Sequence, residues 1–396
     1  MRRHKFVLMV AAITTAATIG APAANATSGT MVLRGLSGDG GTRAADINNA
    51  YTVIGTYNWT TPVRWDSIGR ITALPVPPEP SVIIYMREIT DSGFIIGDSH
   101  RDDGEGGDLS TALLWDPQGN LVNLEHLPGI PQTRATDVNE SGTVAGVATA
   151  ADGQQHAVRW DPRGRITELP MLRGGNVSYA AAINDQGVVA GHSDVVIEGT
   201  RFTHAVTWDA AGRRLDLGGP FSTFDSQATA VNNVGTIAGV RGTSAVRWTR
   251  LGRVTVLQPA GLPTAINDDG VVVGHTVDAS DPSQEHPIRW DQQGHGIQLG
   301  GLGYPTRANA INRAGTVVGT SEAHSVHPGS WAYSRAAQWD PAGNVTDLGS
   351  PVGTLNEATG VNDKGAISGS SGELNGSQYA VVWHRWAISQ PVRHTR

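Results

Sequence analysis

Hydrophobic and polar residues alternate over short segments of this sequence, and compact turn motifs separate the segments. Between residues 135 and 169 the alternation predicts four strands, at 135–139, 143–148, 156–160 and 165–169. Asn139-Glu140-Ser141-Gly142 separates the first pair and Asp161-Pro162-Arg163-Gly164 the last pair, each with the polar first residue and the fourth-position Gly of a type I turn. Tight turns join antiparallel neighbours, so this stretch predicts a four-stranded antiparallel meander.

The same four-stranded pattern occurs eight times. A block of the form Ile/Val-Asn-x-x-Gly follows the first strand in most copies, with its Asn at Asn48, Asn139, Asn184, Asn232, Asn267, Asn312 and Asn362. One copy has Thr90 at the Asn position. A Trp ends the third strand of every copy, at Trp65, Trp115, Trp160, Trp208, Trp248, Trp290, Trp339 and Trp383. The copies recur about every 45 residues, and a Trp repeated in this way is expected to pack between units rather than to bind a ligand.

Four antiparallel strands in a unit of this length, repeated eight times, predict an all-β chain folded as an eight-bladed β-propeller. A different number of blades, or a solenoid, is the alternative. Residues 31–36 resemble the fourth strand of a unit, whereas the last unit ends weakly at residues 387–389. We therefore expect the N-terminal strand to complete the last blade and close the ring.

The first 26 residues have the features of a secretory signal peptide. A short basic start is followed by an apolar stretch that ends at Gly20, and Ala24-Asn25-Ala26 supplies small residues at a cleavage site. The apolar stretch is shorter than the roughly 20 residues that span a bilayer. We expect cleavage after Ala26, a secreted, extracellular protein, and one propeller domain over residues 27–396.

The charge and Cys content of the sequence limit the binding partners and the sources of stability that we expect. The 396 residues carry 29 Lys and Arg against 36 Asp and Glu, for a formal net charge of -7, and only Lys5 and Lys364 are lysines. The basic surface that binds nucleic acids or anionic membranes is therefore not expected. The chain has no Cys, so its stability must come from a large β core rather than from disulfides. We expect a monomer with neither a nucleic-acid nor a membrane partner.

The repeat resembles that of the extracellular HAF-repeat proteins, which are named for a His-Ala-Phe triplet before the Trp. In this sequence the triplet reads His156-Ala157-Val158 and His204-Ala205-Val206, and more loosely His286-Pro287-Ile288. The Ile-Asn-x-x-Gly block belongs to the same resemblance, which covers residues 31–386. It implies secretion and a propeller-like fold, and it implies no particular activity.

Length variation among the repeats falls on one side of the predicted propeller. From the Asn position to the following Trp the distance varies between 16 and 27 residues. Segments 98–110, 194–203, 278–285 and 321–335 are predicted to be long loops. Insertions confined to one face are typical of a binding face. Five residues before the Asn position, on that face and near the axis, stand Arg43, Tyr85, Arg134, Tyr179, Gln227, Leu262, Arg307 and Glu357. The polar members of this set, together with Arg87, are predicted to bind a glycan or a small molecule.

Three neighbouring repeats carry a carboxylate two residues before the Asn position, namely Asp46, Glu88 and Asp137, where the other five have Ala or Gly. Carboxylates beside Arg can perform acid–base chemistry on sugars. An extracellular polysaccharide hydrolase or lyase that uses these three residues is therefore the alternative to a binding module. The structural alternative is that these three acids form buried ion pairs or accept hydrogen bonds in turns. A protein-interaction scaffold is a third hypothesis.

The segment 98–108 is acidic and rich in Gly, with Asp98, Asp102, Asp103, Glu105 and Asp108. Oxygen ligands at this density make it a candidate Ca²⁺ loop, although the spacing does not match an EF-hand. The alternative is a solvated loop. No other metal or cofactor is predicted.

Overall fold

The computed structural model describes residues 29–37, 40–78, 82–102, 108–219, 221–277, 285–302, 306–322, 334–373 and 376–383. Within these ranges the chain forms 32 strands and no helix. Accordingly, the described part of the chain contains no helix that is long and apolar enough to cross a membrane. The predicted signal peptide, residues 1–26, lies outside the described residues.

The first strand, β1 (Thr30–Leu33), precedes eight units that we number as blades 1 to 8 in chain order. Blades 1 to 4 contain β2 (Thr42–Ile47), β3 (Val53–Tyr57), β4 (Thr61–Trp65), β5 (Ile71–Ala73), β6 (Ile83–Ile89), β7 (Ile95–Asp102), β8 (Asp108–Trp115), β9 (Leu121–Val122), β10 (Gln132–Val138), β11 (Val144–Thr149), β12 (Gln155–Trp160), β13 (Ile166–Glu168), β14 (Ser178–Ile183), β15 (Val189–Ile197), β16 (Thr200–Trp208) and β17 (Arg214–Asp216).

Blades 5 to 8 follow the same order. They contain β18 (Ser226–Val231), β19 (Ile237–Arg241), β20 (Ser244–Trp248), β21 (Val254–Val256), β22 (Leu262–Ile266), β23 (Val272–Val277), β24 (Glu285–Trp290), β25 (Gly296–Gln298), β26 (Thr306–Ile311), β27 (Val317–Glu322), β28 (Ser334–Trp339), β29 (Val345–Asp347), β30 (Leu355–Val361), β31 (Ile367–Gly372) and β32 (Gln378–Trp383).

Every blade is a four-stranded antiparallel sheet, as the turn motifs predict. Six blades are separate sheets, and blades 7 and 8 are joined by one parallel bridge between Ser334 and Leu355. The predicted long loops at 98–110 and 194–203 are wrong in part, because β7 extends to Asp102 and β8 begins at Asp108, while β15 and β16 remain paired as far as Ile197 and Thr200. In the second of these hairpins, Val195, Ile197 and Phe202 pack into the hydrophobic core of blade 4. Of the other two predicted loops, residues 278–284 and 323–333 lie outside the described residues.

The N-terminal strand completes blade 8, as predicted. β1 pairs antiparallel with β32, with Thr30 opposite Trp383 and Leu33 opposite Ala380. Blade 8 is also adjacent to blade 1, since β2 contacts β30, β31 and β32. The strands at the two ends of the described chain therefore share one sheet.

The first strand of each blade lies nearest the axis, because the first strands of successive blades contact one another all the way round, including β2 with β30. Each of these strands contains a β-bulge just before its turn, between Ala44 and Asp46 in blade 1 and between Ala135 and Asp137 in blade 3. A bulge leaves one residue without a ladder partner and turns the end of the strand.

The core lies between the blades and is organised around the repeated Trp residues. Seven of the eight are fully buried and Trp383 is 5% exposed, which confirms their structural role. In six blades the indole Nε1 donates to a backbone carbonyl that precedes the blade's own first strand, as Trp208 does to Pro170 at 2.8 Å. One side chain thereby fills the interface and ties two neighbouring units together.

The repeated Asn residues join the turns of neighbouring blades. In Asn184, for example, the side-chain Oδ1 accepts backbone N–H groups of its own turn, and Nδ2 donates across the blade boundary. At 2.9–3.3 Å, the interblade donors and their acceptor carbonyls are Asn48 to Thr90, Asn139 to Asn184, Asn184 to Asn232, Asn232 to Asn267, Asn267 to Asn312, Asn312 to Asn362 and Asn362 to Asn48. The Asn that the sequence repeats is thus an interblade contact as well as a turn residue.

Candidate functional site

The two faces of the propeller differ in the connections they carry. One face, which we call the turn face, holds the Asn turns and the uniform Asp- or Thr-initiated turns between third and fourth strands. The other, which we call the loop face, holds the connections between second and third strands and between successive blades. Each first strand begins at the loop face, so the predicted ligand-binding residues lie there.

The structure brings several of the predicted ligand-binding residues together in pairs. The Arg43 guanidinium lies 3.0 Å from the Glu357 carboxylate across the boundary of blades 1 and 8, with about a third of each side chain exposed. Arg134 donates to the Tyr179 hydroxyl at 3.0 Å across the boundary of blades 3 and 4. Arg307 pairs with Glu285 of blade 6 at 2.7 Å.

The other members of the set lie apart from these pairs. Tyr85 packs edge-to-face against His100 of its own blade, with ring centroids 4.8 Å apart. Gln227 is exposed at the start of β18, and Leu262 is 46% exposed at the start of β22. The predicted ligand-binding residues therefore form separate local contacts. The Arg43–Glu357 pair is among the most accessible of these.

An exposed aromatic side chain, which sequence analysis overlooked, lies beside Arg43. Trp59 is in the β3–β4 connection of blade 1, and it is 39% exposed with its ring 5.9 Å from the Arg43 guanidinium carbon. Asn58 and Trp59 have φ values of 49° and 66°, in the left-handed region that bulky residues rarely adopt. The turn between β3 and β4 thus places a bulky residue in a costly backbone conformation, with its indole exposed on the loop face. The sequence does contain one signal for this residue, because Trp59 does not belong to the repeated Trp set.

A second aromatic group lies on the loop face at blade 5. Phe221 and Phe224, in the connection from β17 to β18, are 87% and 62% exposed. The Arg241 guanidinium carbon lies 6.0 Å from the Phe224 ring centroid. The Asp225 carboxylate accepts the N–H of Thr203 at 2.8 Å, which fixes the end of this connection to blade 4.

His204 fixes the middle of the same connection. Its side chain is fully buried, Nδ1 lies 3.0 Å from Asp216 and Nε2 lies 3.0 Å from the Ser222 carbonyl. Both ring nitrogens face acceptors, an arrangement that only the imidazolium satisfies fully. Burial opposes the charge, but the contacts with Asp216 and the Ser222 carbonyl outweigh it and raise the pKa of His204 above its ordinary value.

Blade 2 contains a buried ion pair in place of the expected calcium ligand. Asp98 lies within β7, fully buried, where it pairs with Arg87 and accepts the N–H of Ala135 from blade 3. Burial raises the pKa of the Asp98 carboxyl, and the contacts with Arg87 act in the opposite direction. Asp98 is thus committed to an interblade contact with Ala135, and the predicted ligand-binding residue Arg87 is paired with Asp98 within blade 2.

Two further acids of the candidate Ca²⁺ segment lie on neighbouring strands. Asp102 and Asp108 are backbone partners in the β7–β8 ladder, and residues 103–107, including Asp103 and Glu105, lie outside the described residues. Among the residues that the structure describes, no group of three or more His, Asp or Glu is arranged to hold a metal ion.

The acidic trio predicted to be catalytic does not form an open site. Asp46 is 0% and Asp137 2% exposed. Each accepts the N–H of its own neighbour through Oδ1 and, through Oδ2, an N–H of the next blade, that of Ile89 at 3.2 Å for Asp46 and that of Ile183 at 2.7 Å for Asp137. These carboxylates satisfy backbone donors at the bulges, which corrects their catalytic assignment. Glu88 is half-buried at the corresponding bulge of blade 2.

A cavity of about 400 Å³ lies on the opposite, turn face between blades 5 and 6. Its lining includes Arg247, Asp268 and Asp269. The Arg247 guanidinium is already engaged, since it donates to the carbonyls of Gly270 at 2.8 Å and of Gln292. This cavity lies at the contact between blades 5 and 6, and Arg247 takes part in that contact.

The strand order and the eight blades define a β-propeller module. The sequence matches no protein-family model and no curated protein, so the resemblance to HAF-repeat proteins stays a prediction. Among solved structures, the chain is similar to the Dos1 propeller, with a TM-score of 0.51 and 12% identity over 90% of this chain and 94% of that one. It is also similar to Porphyromonas gingivalis dipeptidyl peptidase 4, with a TM-score of 0.52 and 10% identity over 84% of this chain and 56% of that one. At these identities the likeness shows the fold alone, and the chain spans only about half the length of the peptidase.

Proposed function

We propose that this protein is a secreted propeller module that binds a glycan on its loop face, at a site centred on Trp59, Arg43 and Glu357. The observation that carries the proposal is the exposed Trp59 indole, which a left-handed backbone conformation holds beside the Arg43–Glu357 pair. Strained backbone conformations concentrate at functional sites. A Trp kept exposed by such a conformation is well placed to contact a ligand.

The chemistry of the three side chains suits a sugar. A pyranose ring has an apolar C–H surface, which packs on the flat face of an indole, and a rim of hydroxyl groups. Arg43 supplies hydrogen-bond donors in a fixed plane and Glu357 supplies acceptors. Because the two side chains are paired with each other, they are already oriented before a ligand arrives, which reduces the entropy lost on binding.

The test is affinity electrophoresis of the mature chain, residues 27–396, in gels that contain xylan, carboxymethyl cellulose, glycol chitosan or dextran. We expect retardation by at least one polysaccharide and its loss in Trp59→Ala. The matched control is Ile68→Ala, because Ile68 belongs to the same blade and is 69% exposed, but lies on the turn face. Equal migration of the wild type with and without each polysaccharide would refute the proposal.

A further inference from the structure

Two exposed aromatic groups on the loop face are built alike. The first, the Trp59 platform, consists of Trp59 with the Arg43 guanidinium 5.9 Å from its ring. The second, the Phe224 platform, consists of Phe221 and Phe224, with the Arg241 guanidinium 6.0 Å from the Phe224 ring. Each combines a flat apolar surface with planar hydrogen-bond donors, which is the combination argued above to suit a sugar.

The two platforms lie on opposite sides of the axis. Trp59 and Arg43 belong to blade 1, and Arg241 belongs to blade 5, four blades further round a ring of eight. Both platforms are on the loop face, since they occupy connections between second and third strands or between blades. A ligand that contacts both must cross the centre of this face, where the first strands begin.

The Phe224 platform is held in place on both sides of Phe224. On one side, the Ser222 carbonyl is bound by the buried His204. On the other side, the Asp225 carbonyl accepts the N–H of Gly242 at 2.7 Å, which joins the connection to the β19–β20 turn of blade 5. Two phenyl rings exposed on so well anchored a segment indicate a contact surface rather than a loosely held loop.

We infer that the ligand is a linear polysaccharide long enough to lie across the loop face and contact the Trp59 and Phe224 platforms together. This inference rests on the proposed function and specifies the length of its ligand. A chain that reaches both platforms binds the second one at a high effective concentration. Its affinity is therefore expected to exceed that of a short fragment by about 100-fold.

The experiment uses titration calorimetry with the wild type, Trp59→Ala and Phe224→Ala. It compares the dimer, the hexamer and the polymer of the sugar chain that retards the wild type in the gels, whether this is xylan, cellulose, chitosan or dextran. For the polysaccharide that retards the wild type in the gel, we expect the polymer to bind the wild type about 100-fold more tightly than the dimer does. Each single variant should reduce the affinity for the polymer to near that for the dimer. Leu251→Ala is the matched control for blade 5, since Leu251 is 81% exposed on the turn face.

The possible failures are distinguishable. If the wild type binds dimer and polymer equally well, or if Phe224→Ala leaves polymer binding unchanged while Trp59→Ala abolishes it, the site is confined to the Trp59 platform. The bridging inference is then overturned and the proposed function stands. If the wild type binds none of the polysaccharides, both are overturned.

Discussion

The Asn contacts between blades lead to a quantitative prediction for Asn184. This side chain is fully buried. Its Oδ1 accepts the N–H groups of Gln186 at 3.1 Å and Val188 at 2.9 Å, and its Nδ2 donates to the Asn232 carbonyl at 3.0 Å. Blade 2 contains a natural variant of the same position. There the Thr90 hydroxyl accepts two N–H groups of its own turn, and a Thr side chain has no amide to donate across the boundary.

Asn184→Thr should therefore keep the turn contacts and lose only the bond to Asn232. The Asn232 carbonyl still accepts the N–H of Gly235 at 3.0 Å, so it is not left without a partner. We expect a loss of about 1 kcal/mol in the free energy of unfolding. Asn184→Ala removes the turn acceptors as well and leaves two N–H groups unsatisfied, which raises the expected loss to about 3 kcal/mol.

Urea denaturation followed by tryptophan fluorescence measures both losses, provided that the slope of the unfolding free energy against urea stays constant. The reverse exchange, Thr90→Asn, adds the missing donor to blade 2 and should stabilise the chain by up to about 1 kcal/mol. Equal losses for the Thr and Ala variants of Asn184 would show that the interblade bond carries the whole effect and that the turn contacts do not matter. No loss in either variant would refute the reasoning.

Three further predictions concern stability. Asp137→Ala should cost about 2–4 kcal/mol in chemical denaturation, because the N–H of Ile183 loses a charged acceptor; an unchanged stability would contradict the structural role. The raised pKa of His204 means that its protonated form stabilises the fold fully below about pH 6.5 and that this contribution is lost as the pH rises through the folded-state pKa. The stability difference between the wild type and His204→Gln should thus be larger near pH 6 than near pH 9, and a constant difference would argue against a charged imidazole. Deletion of residues 29–36 should lower the melting temperature of the whole propeller and promote aggregation in light scattering, since it exposes the edge of β32; an unchanged melting temperature in a monomeric variant would count against that role for β1.

Repetition explains why so much of the fold was predictable. Seven copies of the Asn, an eighth with Thr90 in its place, and eight copies of the Trp identify the strand order, because an error in one copy is corrected by the others. The β1–β32 pairing was predictable for the same reason, since residues 31–36 match the fourth strand of the other units. The extensions of β7, β8, β15 and β16 each occur in a single blade, and there the prediction of loops was wrong in part.

The candidate site was less predictable because its residues are not repeated. The sequence places Asp137 near the axis, but only the bulge in β10 shows that its carboxylate turns towards the N–H of Ile183 rather than towards solvent. Trp59 does not belong to the repeated Trp set, and its turn contains two consecutive residues with positive φ. Local backbone conformation of this kind leaves little trace in a single sequence.

The strand that completes blade 8 also constrains the order of folding. β1 pairs with β32 with Leu33 opposite Ala380, and the Thr42 hydroxyl, which donates to the Leu33 carbonyl at 2.8 Å, also accepts the backbone N–H of Ala380 at 2.9 Å, 338 residues away. Contacts between residues so far apart form slowly, because a long loop must close before they contribute any stability. A chain that emerges from its N-terminus must keep β1 unpaired until β32 is available. Its first blades can assemble with their neighbours in the meantime, but the last blade acquires its fourth strand only when synthesis of the β32 segment is complete.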